Sequence, residues 1–152
     1  MVRAVRQSCV AALGVSFAGV ALACADFDTP LDPTGGAPDV LVATPSFSAN
    51  VAPIFEKRCS IGGCHSFATR QVGLVLTPED AYQSLVGVPA SLRPSQLRVN
   101  PSQPSTSWLV AMIGDDDAAR QGFSRMPLAS HPLTANQIAT IVRWIEQGAQ
   151  RN

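Results

Sequence analysis

Residues 59–65 read Cys59-Ser60-Ile61-Gly62-Gly63-Cys64-His65. Two cysteines stand close together, and a histidine follows the second directly. Three chemistries use such a set. A cysteine pair ending in Cys-His is how c-type haem is attached: each thiol adds to a porphyrin vinyl group, and the adjacent imidazole binds the iron. A Cys59–Cys64 disulfide beside an unrelated histidine is the second. The third is a zinc site drawing on Cys59, Cys64, His65 and His131, although neighbours such as Cys64 and His65 suit one tetrahedral ion poorly.

The motif resembles that of small single-haem class I cytochromes c, of the kind found as secreted bacterial domains. Four residues separate the cysteines where the common form has two, and longer gaps resemble known variants. Gly62 and Gly63 let the longer loop take positive φ angles at little cost. The resemblance implies an all-α, cytochrome c-like fold of about four helices around one covalently bound haem c.

The chain before this domain reads as an export device. Arg3 and Arg6 precede an uncharged apolar run that ends in Ala21-Leu22-Ala23-Cys24. A positive start, a short apolar core and small residues at the end describe a signal peptide over residues 1–23. The last four residues also resemble a bacterial lipobox, so Cys24 is the expected lipidation site. The expected location is the periplasmic side of a membrane, with a soluble periplasmic form as the alternative.

The whole chain has 11 basic and 11 acidic residues. Losing Arg3 and Arg6 leaves the mature form slightly acidic, without the basic surface that nucleic acid requires. Residues 24–45, rich in Asp, Pro, Thr and Gly, read as a flexible tether. About 20 such residues give an r.m.s. reach of roughly 25 Å.

The folded domain is expected over residues 46–149. Ser46 or Ser48 caps a first helix whose Phe47, Val51, Ile54 and Phe55 share one face, with Pro53 limiting or bending it. This helix leads straight into Cys59. Thr77-Pro78-Glu79-Asp80 reads as a second helix start, with Ala81, Tyr82, Leu85 and Val86 apolar and Gly87 at its end. A loop over 91–104 follows. Ser105-Thr106-Ser107 then opens a helix with Trp108, Leu109, Met112 and Ile113 on one side. Thr134 and Gln137 form a capping box, and Ile138, Ile141, Val142 and Ile145 recur at helical spacing. Trp144 and Ile145 are expected to meet the Phe55 side. The Leu133–Ala149 tail also resembles the end of secreted bacterial cytochrome c domains.

By that resemblance, Arg125-Met126-Pro127-Leu128 is the loop of the second axial ligand. Met126 then binds iron opposite His65, with His131 as its rival, and Met112 belongs to the core. Leu74 and Leu76 pack on the haem, and a backbone carbonyl between Ser66 and Leu76 orients His65. Buried propionates need donors, for which Arg98, Arg125 and Trp108 are the candidates. Asp115-Asp116-Asp117 reads as a solvated loop or helix start, with a docking patch for a basic redox partner as the sharper alternative.

The expected function is one-electron transfer between exported redox proteins, with no catalytic residue and membrane attachment through Cys24. A haem-free module, stapled by a disulfide or binding zinc, is the alternative. A peroxidase-like haem enzyme using His131 is the weaker one.

Overall fold

A computed structural model of the chain describes residues 32, 34–128 and 130–152. The signal of residues 1–23 and the lipidation site Cys24 lie outside the described residues. Ser46 is extended and its hydroxyl accepts the Ala49 N–H at 3.2 Å. The chain then makes a wide π-helical turn over Phe47–Val51 before helix α1, Ala52–Arg58. Pro53 explains the change of pitch. It has no N–H to return to the carbonyl four residues back, so the Ala52 N–H reaches back to Phe47 instead. The expected face survives: Phe47, Val51, Ile54 and Phe55 are all buried.

Helix α2 spans only Ala81–Leu85. Thr77 does not cap it directly. Its carbonyl takes the Asp80 and Ala81 N–H groups, and its hydroxyl reaches the Asp80 carboxylate at 3.1 Å, which makes a separate turn before the helix. Gly87, at φ +72°, reverses the chain after α2.

The segment after Gly87 corrects the all-α expectation. Strand β1, Pro89–Ala90, pairs antiparallel with β2, Arg93–Leu97, within the stretch read as loop. Pro89 and Pro94 cannot donate to a helix and hold their predecessors extended. Backbone bonds extend the pairing beyond the strands: Arg98 N–H to Val88 O at 2.7 Å and Val99 N–H to Leu85 O at 3.1 Å. The described residues thus form a small mixed fold of five α-helices and a two-stranded sheet, not a four-helix cytochrome bundle.

Helix α3, Trp108–Ile113, buries Trp108, Leu109, Met112 and Ile113 as expected. Helix α4 is short, Asp117–Arg120. Helix α5, Ala135–Glu146, has the full reciprocal capping box of Thr134 and Gln137. Its Ile141, Trp144 and Ile145 enter the same buried cluster as Phe55. Trp144 packs on Phe47 with ring centres 5.2 Å apart, and Tyr82 meets Phe47 edge-on at 5.3 Å. Such aromatic contacts add about 0.5–1.5 kcal/mol beyond the area they bury.

The later part of the stretch read as a tether lies along α5. Asn136, Thr140, Arg143 and Gln147 stand at i, i+4, i+7 and i+11. They donate in order to the carbonyls of Asp39, Val40, Val42 and Ala43, at 3.1–3.4 Å. The Thr134 hydroxyl also donates to the Asp39 carboxylate. A polar stripe on the helix therefore holds an extended strap. Among the described residues no helix is long and apolar enough to cross a membrane.

Candidate functional site

Helix α1 hands the chain to the cysteine motif through its last bond, Cys59 N–H to Phe55 O at 2.8 Å. The motif then closes on itself. The His65 N–H donates to Cys59 O at 3.1 Å, and the Cys64 N–H to Ile61 O at 3.1 Å. Gly63, at φ +83°, makes the turn a side chain would resist. The following stretch folds back: the Leu76 N–H donates to His65 O at 2.7 Å, and the Thr69 hydroxyl to Cys64 O at 2.5 Å. The ends of the loop are fixed, and its tip, with Ile61, is exposed.

Both thiols, Cys59 and Cys64, are free. Cys59 packs against the main core, and burial pushes its thiol up to about 12 despite the Arg58 charge beside it. His65 is half-buried. Burial holds it below the ordinary imidazole range, the Arg98 charge acts the same way, and the backbone of Leu74 and Gln71 opposes both. Its Nδ1 is fully buried without a hydrogen-bond partner. The orienting carbonyl expected between Ser66 and Leu76 therefore lies beside the ring but forms no bond to Nδ1.

Arg98 follows β2 and is buried. Its guanidinium donates to Ser84 O and to the Ser91 hydroxyl, both at 2.8 Å, and no carboxylate faces it among the described residues. Arg125 is already engaged, with Ile113 O at 3.0 Å and with the Asp115 carboxylate. Trp108 is buried between Phe123, edge-on at 5.7 Å, and the Arg93 guanidinium at 5.3 Å. Its indole N–H has no partner among the described residues. Leu76 is a core residue, and Leu74 packs on that core from the partly exposed side.

Met126 is half-buried and packs against both apolar clusters, the main one and that of Ala90, Trp108 and Met112. Its N–H donates to Met112 O at 2.8 Å, which ties the loop to α3. His131 is exposed. Cys59, Leu74 and Met126 thus share one core. Among the described residues no three His, Cys, Asp or Glu side chains gather to hold a metal ion. The acidic run is a helix start: Asp116 caps α4 at 2.9 and 3.2 Å, Asp117 pairs with Arg120, and Asp115 with Arg125.

Sequence reasoning missed Arg58. It is buried at 6 % exposure, directly before Cys59. The signal was present, because Arg58 continues the apolar face of Phe47, Val51, Ile54 and Phe55 by three residues. Compared with known protein families, curated proteins and solved structures, the chain matches none.

Proposed function

We propose that this chain carries one covalently attached c-type haem and passes single electrons between proteins in an exported compartment. The observation that carries the reading is His65. Its ring follows Cys64 directly, and burial lowers its pKa, which favours the neutral form. A neutral imidazole is the form that binds a metal.

The neighbouring residues fit the same group. Two free thiols flank the loop, as two thioether links require. Among the described residues Arg98 is a buried cation bonded to carbonyls and a hydroxyl but to no carboxylate, which makes it the propionate candidate, and Trp108, whose indole N–H makes no hydrogen bond among them, is a second. Arg125 is set aside because Asp115 holds it. Large apolar side chains stand exposed in the motif and in the stretch that follows it: Ile61, Phe67 and Val72. When bound, the haem supplies a one-electron iron couple.

Each residue then has one task. Cys59 and Cys64 would hold the group, and His65 and Met126 would bind its iron. Met126 is preferred to His131 because it is packed between two clusters while His131 faces solvent. A His/Met pair favours ferrous iron and raises the potential, which suits a carrier. Leu74 and Leu76 give the group an apolar wall. The partners are redox proteins, and Cys24 attaches the chain to a membrane facing the periplasm.

The test is to express the precursor with haem-maturation genes and stain a denaturing gel for haem. Signal that survives denaturation, with the matching mass increase, supports the reading. A colourless product beside a positive maturation control rejects it and leaves a disulfide-stapled or zinc-binding module.

A further inference from the structure

Arg58 joins three parts of the chain that are distant in sequence. It ends α1, the helix that delivers Cys59. Its Nη2 donates to His131 O at 2.5 Å and approaches Pro132 O at 3.4 Å, at the far end of the Met126 loop. Its Nη1 lies against Gly35 in the strap, where a β-carbon would overlap it. Gly35 is fixed by a turn around Asp32, whose carboxylate accepts the Thr34 N–H at 2.8 Å and the Gly36 N–H at 3.0 Å. The near end of the Met126 loop is tied separately, by Met126 N–H to Met112 O.

We propose that Arg58 is a positioning residue for Met126. The strap turn at Gly35 presses its guanidinium onto the His131 and Pro132 carbonyls, and this fastening sets the distance between the attachment motif and the methionine loop. The role toward Met126 rests on the haem reading; the fastening itself does not.

The geometry supports this in two ways. A buried guanidinium has few ways to satisfy its donors, and here two carbonyls of one loop take Nη2 while Nε has no partner. Arg58 therefore has no equivalent alternative when those carbonyls move. Of the loop's two hydrogen-bonded ties among the described residues, moreover, only the Arg58 one reaches the element that carries Cys59. Releasing it would leave the loop held toward the motif by apolar packing alone, while its hydrogen bond to α3 remains.

The two adjacent glycines provide a matched test. Both have positive φ, +58° at Gly35 and +73° at Gly36, so alanine strains the backbone at either. Only at Gly35 does the new methyl meet Arg58; at Gly36 it meets nothing within 4 Å. Full-length chains carrying Gly35→Ala, Gly36→Ala, Arg58→Met and Arg58→Lys would be compared in two assays. In the haem-free chain, amide hydrogen exchange reports the loop from Met126 to Leu133. In the haem-loaded chain, the sulfur-to-iron charge-transfer band and the reduction potential report the methionine.

We expect Gly35→Ala and Arg58→Met to speed loop exchange at least tenfold over Gly36→Ala, and to weaken the band. Arg58→Lys, which keeps one donor, should recover part of both. Loop exchange equal to that of Gly36→Ala overturns the inference. Faster exchange with an unchanged band and potential also overturns it, since Arg58 would then be structural only. If Arg58→Met fails to fold, Gly35→Ala decides alone, because the methyl displaces a flexible side-chain end. If even the unaltered chain takes no haem, the haem reading falls and the role toward Met126 falls with it, while exchange still decides the fastening.

Discussion

Cys59 offers a test that needs no cofactor. Burial moves its thiol from an ordinary 9.0 to about 12. At about pH 8, roughly one thiol in ten is ionised in the unfolded chain and roughly one in ten thousand in the folded one. The thiolate is the nucleophile, so iodoacetamide should alkylate Cys59 about a thousandfold more slowly in the folded, haem-free chain than in urea. Timed alkylation followed by peptide mass analysis reads this directly. The same displacement affects stability. Between about pH 9 and 12 the unfolded chain has lost this proton and the folded chain has kept it. Stability therefore falls as pH rises through that window, by about 4 kcal/mol in all at about 1.4 per tenfold in acidity. Cys59→Ala should lack that share of the loss. Equal alkylation rates in the folded and unfolded chains, or the same alkaline loss in Cys59→Ala, would refute the reasoning. If it holds, the proposed attachment chemistry must reach this partly buried thiol before folding raises its pKa, and a prefolded haem-free chain should be a poor acceptor.

Other expectations concern the ligands and the last helix. The His65 pKa is lowered from 6.5, so the unfolded chain takes that proton first; haem-free stability is full above about pH 6.5 and falls as pH drops toward the folded value. Urea melts from pH 8 to 5 would show this, and His65→Asn should flatten the profile. Met126→Ala should keep the haem stain but lose the sulfur charge-transfer band and lower the potential; an unchanged spectrum would assign the second ligand elsewhere. Thr134→Ala removes the α5 cap and a bond to Asp39, and thermal melts should show a loss of about 1 kcal/mol or somewhat more.

The legible parts were those written in adjacent residues. The capping box of Thr134 and Gln137 and the buried stripe of α3 are local patterns that the structure keeps, while of the α5 stripe Ile141 and Ile145 are buried and Ile138 and Val142 are half-buried. The buried face of Phe47, Val51, Ile54 and Phe55 also survived, although Pro53 widened the turn beneath it. The β1–β2 pair was not legible. Its residues show no clean alternation, and its pairing is continued by backbone bonds that Arg98 and Val99, past the second strand, donate to the carbonyls of Val88 and Leu85. At the candidate site, the residues of the proposed chemistry, Cys59, Cys64 and His65, are close in sequence. The support was not: Arg58 reaches across 73 positions to His131, and Thr140 across 100 to Val40. Such contacts leave only faint traces, here a buried arginine on an apolar face and a polar stripe on α5.

That stripe changes how far the domain could stand from the proposed anchor at Cys24. Counted to Ser46, the tether has 22 steps and a fully extended limit of about 75 Å; counted to Thr34, where the docked strap begins, it has 10 steps and about 35 Å. Docking along α5 thus halves the greatest reach of the site. The bonds from Thr140, Arg143 and Gln147 to the strap carbonyls are worth about 0.5–1.5 kcal/mol each, so replacing all three by alanine should release the strap. In a haem-loaded, unlipidated chain lacking residues 1–23, Cys24 is the one thiol left for a dye, and the haem quenches by energy transfer. The triple variant should quench less and more variably than the parent. Equal quenching would show that these side chains do not hold the strap, and that the reach is set by the turn at Asp32 and Gly35 instead.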